Sequence, residues 1–171
     1  MEKIVIISTG GTFNKIYNPI DGSLIIDKSS NAIKEIAEKW LCEFDVISII
    51  GKDSLDIDNK EREELLKLII NYECNNIIIV HGTDTMDITA ELIANHKEIN
   101  KKIILTGAMT PYSIEPIEAT ANLSSSYGFL NNVKDNGVYI SMNGVIGDYK
   151  EIVKDRINSK FRFGNPNLFR E

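Results

Sequence analysis

The sequence predicts an α/β fold of three layers, flavodoxin-like, in which a mostly parallel sheet carries helices on both faces. Two observations lead there. Short apolar, β-rich runs alternate along the chain with amphipathic helical patterns, which is the signature of βαβ units. Four of the runs then end in clusters of small and polar residues, as expected where parallel strands share one carboxyl edge. At 171 residues, 43% hydrophobic and 26% charged, the chain reads as one domain over 1–171, long enough to bury roughly 70% of its unfolded surface.

Taken in order, Ile4-Val5-Ile6-Ile7 opens a strand over 4–8. Ile33, Ile36, Ala37, Trp40 and Leu41 recur at helical spacing after Ser29-Ser30, a pair able to cap the helix start. A strand over 44–50 follows. Asp58-Asn59-Lys60-Glu61 has the spacing of a capping box, and Leu65, Leu66, Ile69 and Ile70 form one apolar stripe behind it. Strands over 76–80, 102–106 and 138–142 alternate with helices over 85–96 and 118–130, the latter announced by Pro116.

Composition excludes several functions. The formal charge is −6 with no long run of one sign, so no nucleic-acid or anionic membrane partner is expected, since phosphates call for clustered Lys and Arg. No apolar run approaches the roughly 20 residues that span a bilayer. Met1-Glu2-Lys3 leads straight into the first strand, without the pattern of a signal peptide, which points to the cytoplasm. Cys42 and Cys74 lack metal-ligand spacing, and His81 and His96 are the only histidines, so neither a metal nor a disulfide framework is expected.

The chemistry lies in four strand-end clusters: Thr9-Gly10-Gly11-Thr12, Gly51-Lys52-Asp53-Ser54, His81-Gly82-Thr83-Asp84-Thr85 and Thr106-Gly107-Ala108-Met109. Glycines after strands can simply turn the chain, but four on one edge describe a site. A threonine hydroxyl is a poor nucleophile unless a base or charge assists it. Thr12 and Thr83 therefore need partners. Asp84 follows Thr83 directly, a lysine can serve as base, and a helix starting near Asp84 leaves backbone N–H groups suited to an oxyanion. The set points to acyl transfer without metal, and spacing alone leaves open which lysine approaches Thr83.

The motifs Thr9-Gly10-Gly11-Thr12 and His81-Gly82-Thr83-Asp84-Thr85-Met86, with Leu105-Thr106-Gly107-Ala108-Met109-Thr110-Pro111 after them, resemble the bacterial-type L-asparaginase/glutaminase family. The likeness runs over essentially the whole chain and is to the family's N-terminal domain only. It implies hydrolysis of a side-chain amide, with L-asparagine giving aspartate and ammonia, no cofactor and a homo-oligomeric assembly. Residue by residue, it implies Thr12 as nucleophile, Thr83, Asp84 and a lysine as a second triad, and Tyr17 as the residue that orients the nucleophile. Alignment on Phe163-Gly164-Asn165-Pro166 makes Lys154 that lysine, with Lys150 as the alternative. Gly11, Gly82 and Ala108 fall on the substrate side, and Asp84 also meets the substrate's α-amino group.

Three departures from the family pattern stand out. Lys52-Asp53-Ser54 replaces the Ser and Gln that grip the substrate carboxylate, leaving Lys52 or Ser54 to do so with Asp53 opposing if ionised. Glu118 stands where relatives carry Asp before an Asn like Asn122. The glutamate that a neighbouring C-terminal domain supplies in full-length members has no counterpart. A catalytically weak amino-acid-binding module and an amidase on a larger amide are the rival functions.

Overall fold

The computed structural model describes residues 3–40 and 42–164; Met1, Glu2, Leu41 and residues 165–171, Asn165 and Pro166 among them, lie outside that set. Five strands form the parallel part of the sheet: β1 (Ile4–Gly10), β4 (Asp45–Lys52), β5 (Asn76–Val80), β6 (Lys102–Thr106) and β7 (Gly137–Met142). A sixth, β8 (Val145–Asp148), pairs antiparallel with β7, and the order is β4-β1-β5-β6-β7-β8. The chain moves from β1 outward to β4, then back across β1 to β5. The order therefore reverses beside β1 and β5, which is where open α/β sheets bind ligands.

The layers follow from the alternation along each strand. Ile4, Ile6, Ile78, Val80 and Ile104 face one core with α1 (Asn31–Lys39) and α4 (Pro116–Leu130). Val5, Ile7, Ile77, Ile79 and Leu105 face the other with α2 (Asn59–Asn71) and α3 (Met86–Ala94). Strands buried on both faces have no polar side, which is why the central ones read as unbroken apolar runs.

Helix starts largely follow their sequence signals. The capping box closes as predicted: Glu61 N–H donates to Asp58 Oδ1 at 2.8 Å and Asp58 N–H to Glu61 Oε2 at 3.0 Å. Pro116 is the first residue of α4, and the Glu115 carboxylate accepts from Ile117 and Glu118 N–H. The start of α1 differs. Ser30 takes a left-handed conformation (φ 54) and makes no cap bond; its hydroxyl meets Ser48 Oγ at 2.9 Å. Asp27 does the capping, its carboxylate accepting from Ser29 and Asn31 N–H, both at 2.9 Å.

Two small hairpins, absent from the sequence-based expectation, flank the carboxyl edge. One pairs β2 (Lys15–Tyr17) with β3 (Leu24–Ile26), the other β9 (Ile152–Asp155) with β10 (Lys160–Phe163). Ile152 and Phe161 anchor the second in the core beside α3. The end of β4 is bent. Its register against β1 shifts between Ser8 and Gly10, and Ile50 (φ 69) and Gly51 (φ 71) both take left-handed conformations. A β-branched residue there is strained by roughly 1–2 kcal/mol. The bend delivers Lys52, Asp53 and Ser54 to the edge.

Candidate active site

The β1 and β5 loops lie so close that no side chain fits between them. A Cβ at Gly11 would fall 2.6 Å from both Cα and N of Gly82, and one at Gly82 would fall 2.6 Å from Ser54 Cβ. Gly11 also takes φ 73, a conformation other residues rarely adopt, and its N–H donates to Lys52 O at 2.9 Å. Three strand-end clusters are thus stacked by contact. Gly82→Ala is expected to lower stability by about 1–3 kcal/mol and to displace Thr83, whereas Gly128→Ala, on α4 with open space around it, should stabilise by about 0.5–1 kcal/mol. Thermal melts of the two variants check this pair.

Thr83 is buried, and its hydroxyl accepts from Lys154 Nζ at 2.8 Å. The same Nζ lies 2.8 Å from Asp84 Oδ1. Lys154, on β9, crosses 71 residues of sequence to make the first contact, while Lys150 sits over the Tyr149 ring. Of the two lysines, Lys154 reaches Thr83. Arg156, which no motif announced, joins them: Nη1 donates to Asp84 Oδ1 at 2.7 Å and Nη2 to Asp84 O at 2.9 Å. The hydrogen bond from Lys154, reinforced by Arg156 and opposed by partial burial, holds the Asp84 carboxyl below the usual carboxylate range.

Thr12 follows Gly11 in a short 3-10 turn, half-buried, and its hydroxyl makes no hydrogen bond among the described residues. It is free to meet a ligand. Tyr17, 60% exposed on β2, is not bonded to Thr12, Thr83, Asp84 or Lys154. Lys52 is held by Glu61 (Nζ to Oε1, 2.6 Å) and Asp53 by Lys15 (Oδ2 to Nζ, 2.6 Å), so both are already paired within the protein. Ser54 is fully buried; its hydroxyl accepts from Asp84 N–H at 3.2 Å and its carbonyl from Thr85 Oγ1 at 2.8 Å. Ala108 is buried against the α4 core.

Behind these residues lies a buried polar chain. Arg62 donates from Nε to Thr89 Oγ1 (3.2 Å), from Nη1 to Ile57 O (2.7 Å) and from Nη2 to Thr85 Oγ1 (3.0 Å). Thr89 Oγ1 lies 2.9 Å from His81 Nε2, and His81 Nδ1 lies 2.7 Å from Gly82 O. Burial pushes the imidazole down to about 4, and the Arg62 charge adds to that. Neutral His81 then fits as donor to Gly82 O and acceptor from the Thr89 hydroxyl. The chain ties the β5 loop to α2 and α3.

Glu118 does similar work on the β6 loop. Its carboxylate accepts from Met109 N–H at 3.1 Å, from Thr110 N–H at 3.0 Å and from Asn143 Nδ2 at 3.2 Å. Asn122 donates to Gly107 O at 2.9 Å and accepts from Asn143 N–H at 2.9 Å. Among the described residues no group of three His, Cys, Asp or Glu side chains could hold a metal ion. No helix there is long and apolar enough to cross a membrane.

Several known proteins are similar to this chain. The chain is 27% identical over 180 residues to the probable periplasmic L-asparaginase of Haemophilus influenzae, covering 98% of this chain and 50% of that protein. It is 25% identical over 168 residues to the glutaminase-asparaginase of Acinetobacter glutaminasificans, covering 90% of this chain and 50% of that one. A component of the glutamyl-tRNA(Gln) amidotransferase of Methanococcus vannielii is 29% identical over 157 residues, covering 86% of this chain and 36% of that protein. The chain spans about half the length, or less, of the curated relatives it matches. The crystal structure of a probable cytoplasmic L-asparaginase from Campylobacter jejuni shares the fold, with a TM-score of 0.79 at 24% identity over 95% of this chain and 54% of that one. The family described as Asparaginase, N-terminal, matches residues 3–169, and with that match over nearly its whole length the chain belongs to the asparaginase family.

Proposed function

We propose that this protein hydrolyses L-asparagine to L-aspartate and ammonia, with Thr12 as the nucleophile. The observation that carries the reading is Lys154 Nζ placed 2.8 Å from both Thr83 Oγ1 and Asp84 Oδ1 at the point where strand order reverses. Thr12 Oγ attacks the amide carbon, its proton passes to the amide nitrogen, and the C–N bond breaks to release ammonia and leave an ester on Thr12. Water then attacks the ester, frees the acid and restores the hydroxyl. Thr83, Lys154 and Asp84 handle the protons of these steps. Tyr17 closes over Thr12 from the β2–β3 hairpin when substrate is bound, and Gly11, Lys52, Asp53, Ser54, Gly82 and Ala108 form the substrate side.

The test is ammonia release from L-asparagine, L-glutamine and a panel of amides by the purified protein, with Thr12→Ala and Thr83→Ala as controls. Activity no higher than in the two variants, with the protein folded, rejects the enzyme reading for those amides. A larger amide is the second reading, favoured by the similarity to an amidotransferase component; turnover confined to the larger members of the panel selects it.

The reading includes a homo-oligomer. Ile16, Tyr17, Ile20, Leu24 and Ile25 are all exposed on and around the β2–β3 hairpin, an apolar grouping of the kind that associates. Light scattering should give at least twice the monomer mass, and a monomer would remove this part. It also includes a cytoplasmic location, in keeping with the similarity to the Campylobacter jejuni protein, itself described as a probable cytoplasmic L-asparaginase.

A further inference from the structure

Lys154 stands outside the main sheet. Among the described residues its strand, β9, pairs with β10 alone. A two-stranded hairpin is marginally stable by itself in water, so the place of the Lys154 amine depends on what seats the hairpin. Ile152 and Phe161 bury it in the core, but apolar burial is not directional. A directional tie comes from Phe161, whose N–H donates to Asn143 Oδ1 at 3.0 Å. Phe161 is registered directly opposite Lys154, and the Cα atoms of such antiparallel partners lie about 4.5–5.5 Å apart. What holds Phe161 therefore also holds the backbone of Lys154.

Asn143 is itself fixed from two directions. It lies in the turn between β7 and β8 with φ 51, and Gly144 follows with φ 81, the left-handed pair that an Asn-Gly turn accepts. Its N–H donates to Asn122 Oδ1 at 2.9 Å and its Nδ2 to Glu118 Oε1 at 3.2 Å, both on α4. Those two residues also hold the β6 loop, Glu118 through Met109 and Thr110 N–H and Asn122 through Gly107 O. We propose that Asn143 is a positioning residue for Lys154: by fixing Phe161 it sets the amine within reach of Thr83 Oγ1 and Asp84 Oδ1, and so aligns the proton-handling group with the β6 loop; this rests on the amidohydrolase reading above. Thr83 is placed separately, by the packing of Gly82 against Gly11 and by the His81 bond to Gly82 O. Loss of the Asn143 side chain thus moves one partner of a 2.8 Å contact and not the other, and a misplacement of about 1 Å can cost 10²-fold in rate.

The experiment uses Asn143→Gly, which keeps the left-handed turn and deletes the amide. Two readings are taken on the folded variant: kcat and KM for the best amide of the panel, and the rate at which acetic anhydride acylates Lys154 relative to the exposed Lys97, measured by mass spectrometry. The Lys154 side chain is 14% exposed and doubly bonded, so it should react slowly in the wild type. In Asn143→Gly, kcat is expected to fall about tenfold with KM within twofold, and the acylation ratio to rise at least threefold. A fall in kcat of less than threefold, or a smaller rise in the ratio, overturns the proposal and shows that the bonds to Thr83 and Asp84 seat Lys154 unaided. If Asn143→Gly does not fold, a second pair decides. Asn143→Asp keeps an oxygen for Phe161 but sets a second carboxylate against Glu118, and should change both readings in the same directions; adding Glu118→Gln returns a donor to that contact and should restore them. No change in Asn143→Asp, or no recovery in the double variant, overturns the proposal. If the wild type hydrolyses no amide, the amidohydrolase reading fails by itself, and the acylation ratios alone decide whether Asn143 places Lys154.

Discussion

Lys154→Met is expected to lower kcat for the best amide of the panel by about 10²–10⁴-fold, the usual contribution of a positioned proton acceptor, while KM and the melting temperature change little. Met keeps an unbranched side chain of similar length and removes the ammonium group 2.8 Å from Thr83 Oγ1 and Asp84 Oδ1. Asp84 is not stranded by the change, because Arg156 still bonds both its side chain and its main-chain carbonyl. Thr12→Ala, by contrast, removes the attacking oxygen itself and should leave no turnover. Steady-state kinetics with melting curves in parallel measure both. Retention of kcat within tenfold in Lys154→Met, with the variant folded, would count against the proton-handling role.

The second large effect is on stability in acid. His81 is held in its neutral form, pushed from 6.5 down to about 4, first by burial and then by the Arg62 charge. Between those two pH values the unfolded chain binds a proton that the folded chain does not, so stability falls as pH falls. The stabilisation is whole above pH 6.5 and is lost progressively down to pH 4, a difference of about 3 kcal/mol. Asp84, also held low by its cations, shifts stability in the same direction at lower pH. Urea midpoints at pH 7 and pH 4.5 should show the loss. His81→Gln lowers stability at pH 7 but should flatten the slope across this window; an unchanged slope would assign the acid lability to other groups.

What can be read from the sequence divides along physical lines. β5 and β6 are plain because they are buried on both faces and so are apolar at nearly every position between turns. The α2 start is plain because Asp58 and Glu61 satisfy each other locally, with no help from the rest of the fold. At α1 the cap is also local, but the signal at Ser29-Ser30 misleads: the carboxylate of Asp27, a few residues back, reaches the same N–H groups. β9 and β10 escape notice because four-residue strands such as Ile-Val-Lys-Asp carry too little alternation to separate from a turn. Lys154 is found through the family's pattern and not through spacing, since its contact with Thr83 spans 71 residues. Arg156 carries no signal at all. A lone arginine after a short strand looks like any solvated charge until the fold sets it against Asp84.

The contact across 71 residues also has a meaning in time. A ribosome adding about 5–20 residues per second exposes Thr83 and Asp84 roughly 4–14 s before Lys154 leaves it. During that interval β1 and β5 can already pair, yet the Asp84 carboxylate and the Thr83 hydroxyl are without Lys154. The contact forms only when the β9–β10 hairpin docks through Ile152 and Phe161. On the function proposed above, a nascent chain of this design stays inactive until β9 and β10 are in place.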